Sequence, residues 1–178
     1  MRRRRLQLAA VVAVVGLLGV VAAAVAGGGS RDVREHLTGY EETPQTLSTS
    51  GFGEFRARVR DSQIEYRLSY GGLEGDITQA HIHLGAEATS GGISAYLCRT
   101  TQTAPAGTPD CDPGRDGTVT GTIEPADVIG PDAQGIAGPA DYGELLRAIR
   151  AGATYANVHT TKYGGGEIRA QLERGHDR

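Results

Sequence analysis

Tryptophan is absent from this 178-residue chain, phenylalanine occurs twice, and methionine and lysine occur once each. A core drawn from such a composition has to be aliphatic, helped by the seven tyrosines. With one lysine and no basic stripe beyond the first few residues, the electrostatic footprint of a nucleic-acid or anionic-lipid binder is missing. Catalytic signatures are missing too. There is no GxSxG elbow, and no carboxylate pair stands in an apolar setting that would split its pKa values. Glu41-Glu42 and the acids at Glu74 and Asp76 read as loop charges.

What the N-terminus does have is a basic cluster, Arg2 to Arg5, followed by an apolar run over residues 6–26 that is broken only by Gln7. That order reads as an export signal. The cluster resembles a twin-arginine signal only loosely, and no cysteine follows the run to accept a lipid. Ala24-Val25-Ala26 offers a small-x-small cleavage site, which predicts a mature chain starting near Gly27. The same run, at about 1.5 Å per residue, is also long enough to cross a roughly 30 Å hydrocarbon layer, so residues 6–26 could remain as a membrane anchor. In either case the positive flank holds the start of the chain inside and places the rest outside. The expected location is therefore secreted, cell-surface or periplasmic, with membrane contact only through this segment. Losing residues 1–26 removes four arginines and no acid, moving the net charge from −3 to −7. The remainder divides into a flexible linker at 27–34, one domain at 35–173 and a disordered tail at 174–178.

Two cysteines in an exported chain predict a disulfide between Cys98 and Cys111, clamping a loop rich in Thr, Pro, Gly and Asp. A metal pair is the alternative, but neither a CxxC nor a histidine lies nearby. Period-two alternation runs through Phe55, Ala57 and Val59, and after a turn at Asp61-Ser62 through Ile64, Tyr66, Leu68 and Tyr70. Further strands are expected at 78–84, 93–98, 119–123, 155–161 and 167–172. The last two flank a glycine-rich hairpin loop at 162–166. One helix is expected at 141–151. Asp141 and Glu144 suit a capping box, Gly152 suits the C-terminus, and Tyr142, Leu145, Leu146 and Ile149 form its buried stripe. The fold class is mainly β and antiparallel, with one short packing helix.

Several segments together carry a family likeness: LTGYEETP at 37–44, YRLSY at 66–70, AHIHLG at 80–85, IRAGATYANVHT at 149–160 and GEIRAQL at 166–172. In this order they resemble the CHRD domain, a module named for chordin and found in many exported bacterial proteins. The resemblance spans residues 35–173. It implies an antiparallel β-sandwich, Greek-key-like, that works outside the cell, often without known activity. Chordin's growth-factor partner does not transfer, because chordin's cysteine-rich modules are missing.

His81 and His83, two apart on one strand, share a face opposite Ile82 and Leu84. His159 lies on another strand, with Asn157 on its face and Val158 behind. Three neutral imidazoles converging from two strands would suit one copper or zinc ion, with binding weakening below about pH 6 as imidazoles of ordinary pKa take up protons. The pattern also resembles the copper half of a copper-zinc superoxide dismutase, but only His36 and His176 remain for the bridging and zinc positions such an enzyme needs. The alternative is that the histidines are polar-face strand residues bonded to Glu or Tyr neighbours. Three functions therefore stand as expectations: a non-enzymatic extracytoplasmic binding or structural module; a copper or zinc protein using His81, His83 and His159, with a redox role open to it; and a surface adhesion module with an extracellular protein or glycan partner. Enzymatic activity is the less favoured reading.

Overall fold

The computed structural model describes residues 30–101 and 104–172. The expected export segment at 1–26 and the tail at 174–178 lie outside the described residues. Eight strands, β1 (Arg31–Thr38), β2 (Phe52–Val59), β3 (Ile64–Gly71), β4 (Ile77–Leu84), β5 (Ile93–Arg99), β6 (Gly117–Ile123), β7 (Thr154–Thr160) and β8 (Ile168–Gln171), are joined by one helix, α1 (Tyr142–Ala151), between β6 and β7. The alternating residues of β2 and β3 pair in register from Phe52 opposite Gly71 to Val59 opposite Ile64, with Phe55, Ala57, Val59, Ile64, Tyr66, Leu68 and Tyr70 all buried. Strand β1 begins at Arg31 and pairs with β2 along its whole length, so the stretch expected as linker at 27–34 is sheet from Arg31 onward.

The mainly β, antiparallel architecture with one helix stands. The two-sheet sandwich is corrected. The strands form a single hydrogen-bonded sheet in the order β5-β4-β7-β8-β1-β2-β3-β6, curled into a nearly closed barrel. The two edge strands, β5 and β6, face each other across the seam. Tyr66 reaches over the core from β3, donating from its hydroxyl to the Leu97 carbonyl of β5 at 2.6 Å. Curling hides sheet edges that would otherwise template pairing with another chain.

A disulfide joins Cys98, in β5, to Cys111, ahead of β6, with Cα atoms 4.9 Å apart. It ties one edge of the sheet to the chain leading into the other. Replacing both cysteines by alanine is expected to lower stability by about 2–4 kcal/mol and speed proteolysis of the loop between them. Denaturant unfolding would show this, and an unchanged midpoint would mean that the seam holds without the bond.

Helix α1 buries Tyr142, Leu145, Leu146 and Ile149, and Gly152 closes it at φ 71°. The expected capping box does not form. The Asp141 carboxylate instead accepts the Ala137 N–H at 2.7 Å, in the turn that precedes the helix.

The sheet is not uniform. In β1, β2 and β3 only one face is buried. In β7 and β8 every residue is buried, and β4 is buried on both faces from Ala80 to His83. Cross-strand rows explain this. Ala80, Val158 and Ile168 form one row, and Ile82, Ala156 and Ala170 another, both on the core side. Between them lie His81, Asn157 and Arg169, then His83, Tyr155 and Gln171, on the outer side. Segments around 39–47, 85–92 and 161–167 fold over this outer face and seal a polar layer beneath them.

Candidate metal centre

The strands β4 and β7 bring His81, His83 and His159 together in that sealed layer. Their exposures are 0%, 7% and 7%, so none is a surface residue of the sheet. One ligand nitrogen from each lies within 4.8 Å of the other two. Ring centroids are 5.2 Å apart for His81 and His83, 4.8 Å for His81 and His159, and 5.9 Å for His83 and His159.

Backbone carbonyls decide which nitrogen is offered. His83 Nδ1–H donates to the Gly91 carbonyl at 3.0 Å, and His159 Nδ1–H donates to the Gly164 carbonyl at 3.0 Å. A carbonyl only accepts, so the proton sits on Nδ1 and the Nε2 lone pair is left bare. Among the described residues, Nε2 of His83 and of His159 has no partner, and neither nitrogen of His81 has one. This is the arrangement expected of metal ligands oriented by outer hydrogen bonds, and it argues against the alternative in which Glu or Tyr neighbours satisfy the rings.

Glycine is required at the carbonyl that holds His83. A Cβ at Gly91 would stand 1.6 Å from the Leu84 carbonyl oxygen. In the hairpin that carries Gly164, Gly166 has φ 131°, and a Cβ there would meet Asn157 and Glu42 at 2.6–2.7 Å.

Aromatic walls enclose the cluster. Tyr96 meets His81 edge-on at 4.4 Å, and Tyr155 stacks on His83 at 4.8 Å with its plane tilted by only 2°. The Arg169 guanidinium lies 3.5 Å over the Tyr155 ring. Arg169 is itself buried, donating to Thr43 Oγ1, the Thr89 and Ala86 carbonyls and Gln171 Oε1.

Glu42, expected as a loop charge, is buried instead. Its carboxylate accepts from Asn157 Nδ2 at 2.6 Å. The only hint of this in the sequence is the YANVH segment, where Asn157 shares a strand face with His159. Beyond Glu42 a cavity of about 390 Å³ opens, lined by Tyr40, Glu41, Thr43, Glu87, Arg169 and Gln171 among others.

Burial sets the protonation of this layer. It pushes His81 down to about 2, assisted by the neighbouring His159 and His83. It pushes His83 down to about 4 against the pull of the Gly91 carbonyl. His159 is lowered by burial as well, opposed by its bond to Gly164. His81 and His83 are therefore neutral at neutral pH and His159 is shifted the same way, so protons should compete with a metal at lower pH than the pH 6 expected for exposed imidazoles. Glu42 moves the other way, raised to about 7 by burial despite Asn157 and Arg169.

These shifts make a prediction for the metal-free protein. Below about pH 6.5 the unfolded chain binds protons at His83 that the folded chain refuses until about pH 4, so stability present above pH 6.5 is lost over that window, at a cost of about 3 kcal/mol. Glu42 offsets this, because between pH 7 and 4.5 it takes up a proton only when folded. In a Glu42→Gln variant the histidine effect should stand alone. Its denaturation midpoint should fall more steeply from pH 6.5 to 4 than that of the wild type, in which Glu42 offsets part of the loss. A flat profile in the variant would mean that the rings are not buried neutral.

The family described as the CHRD domain matches residues 33–172 of the chain. No curated protein and no solved structure matches it.

Proposed function

The chain belongs to the CHRD domain family, and from that premise we propose that it is a non-enzymatic module working outside the cytoplasm, whose ligand is one copper or zinc ion held by His81, His83 and His159. The observation that carries this reading is the buried cluster in which one nitrogen of each histidine lies within 4.8 Å of the others and each ring has a nitrogen without a partner among the described residues. A buried polar atom without a partner costs about 1–3 kcal/mol, and a cluster of them is hard to retain unless something binds there. A first-row metal ion satisfies all three lone pairs at once, and imidazole suits copper and zinc. Gly91 and Gly164 would fix the tautomers, and Tyr96 and Tyr155 would keep bulk water from the ion.

Export is supported by the basic and apolar order of residues 1–26 and by the Cys98–Cys111 disulfide, a bond that persists in oxidising compartments. Among the described residues the cluster consists of histidines alone, which favours binding over catalysis.

The test is metal analysis of the purified full chain, followed by thermal unfolding of the stripped protein titrated with copper or zinc. One equivalent of bound ion is expected, with stabilisation of about 2.7 kcal/mol when free metal reaches a hundred times the dissociation constant. Absence of bound metal together with no thermal shift for either ion would end the reading.

A further inference from the structure

We propose that the ion this centre selects is monovalent copper. The inference rests on the reading of the three histidines as a metal centre and adds the oxidation state.

Three observations carry it. The first is charge. Among the described residues the cluster contains histidines only, with no carboxylate or thiolate in reach. Every ligand is neutral, so the charge of the ion would not be compensated by any ligand in a layer where the ligands are 0–7% exposed. The cost of burying an ion rises with the square of its charge, so a dication pays about four times what a monocation does. The buried carboxylates near this face, Glu42 and Glu167, are engaged elsewhere: Glu42 accepts from Asn157, and Glu167 from Thr49, Thr160 and the Glu74 N–H.

The second is the fixed charge nearby. Arg169 lies on Tyr155, and Tyr155 lies on His83, so a permanent cation backs one of the ligands. It repels a dication about twice as strongly as a monocation.

The third is coordination number. The site presents three nitrogens from two strands. Zinc takes four ligands, adding a water where the protein provides three, and divalent copper prefers a tetragonal set. Monovalent copper, a closed-shell ion, is content with a trigonal one. The Tyr155 hydroxyl, which could otherwise be considered as a fourth donor, is held by Gly91, whose N–H donates to it at 3.0 Å.

The experiment uses the full chain, stripped of metal and kept anaerobic with a reductant. Monovalent copper is partitioned between the protein and a chromogenic chelator specific for it, and zinc and divalent copper are titrated separately against their own indicators. Monovalent silver serves as a redox-inert stand-in. Monovalent copper should bind at one equivalent, about a thousandfold or more tighter than zinc. Silver should compete for the same site, and X-ray absorption should report three nitrogen neighbours. If zinc or divalent copper binds as tightly as monovalent copper, and His159→Ala abolishes that binding, the metal centre stands and its monovalent assignment is overturned. If no ion prefers the wild type to His159→Ala, the centre itself falls, and this proposal with it.

Discussion

Replacing His159 by alanine is expected to lower copper or zinc affinity by more than the roughly 10–100-fold that loss of an outer-shell partner costs. His159 is the one ligand contributed by β7. Without it the site reduces to His81 and His83 on β4, an open pair facing into the sealed layer. The substitution removes a ring whose Nε2 has no partner among the described residues, so the fold there loses packing and the one hydrogen bond to Gly164. His36→Ala supplies the control, since His36 lies exposed on β1 and outside the cluster. Calorimetric titration of the two variants beside the wild type reads the difference directly. Equal affinities in wild type and His159→Ala would show that the three histidines do not act together.

The second expectation runs against the usual effect of core mutation. His81→Leu should stabilise the metal-free protein by about 1–3 kcal/mol while abolishing stabilisation by metal. Both His81 nitrogens are buried without a partner among the described residues, and each such atom carries a desolvation penalty that leucine of similar size does not. Some edge contact with Tyr96 is lost in exchange. A residue whose removal helps the fold and harms binding is one kept for function, the trade-off expected where a site demands strained or unsatisfied groups. Urea unfolding of chelator-treated protein tests it. A His81→Leu variant less stable than the stripped wild type would mean that His81 serves packing instead.

Strand positions were legible because period-two alternation survives wherever one face meets the core. Phe55, Ala57 and Val59 and their partners in β3 are the clearest case. Strand β1 escaped that reading. Its eight residues, RDVREHLT, hold only two buried apolar side chains, Val33 and Leu37, because the face opposite the core meets solvent and neighbouring loops. The pairing of His81 and His83 with His159 was also legible, since strand periodicity places each opposite a core residue. Their burial was not. Alternation predicts a polar outer face, and only the fold shows 39–47, 85–92 and 161–167 closing over it. Glu42 and Arg169 were hidden for the same reason. A charged residue in a loop or on a strand carries no local mark of the Asn157 side chain or the Tyr155 ring that it will meet. The single curled sheet, too, depends on β1 lying between β2 and β8, a long-range pairing that no local pattern announces.

That pairing sets where the domain can be attached. The Arg31 guanidinium donates to the Arg150 carbonyl at 3.4 Å, and the Gln171 side chain donates to the Gly152 carbonyl at 2.8 Å. The entry and exit of the fold thus flank the same turn at the C-terminal end of α1. The hairpin that carries Gly164 follows β7, so it lies at the opposite end of that strand from this shared doorway. A host protein could accept the domain in one surface loop without stretching its own backbone, as neighbouring termini permit. Grafted in this way, the barrel would hold its histidine hairpin outward, away from the graft point.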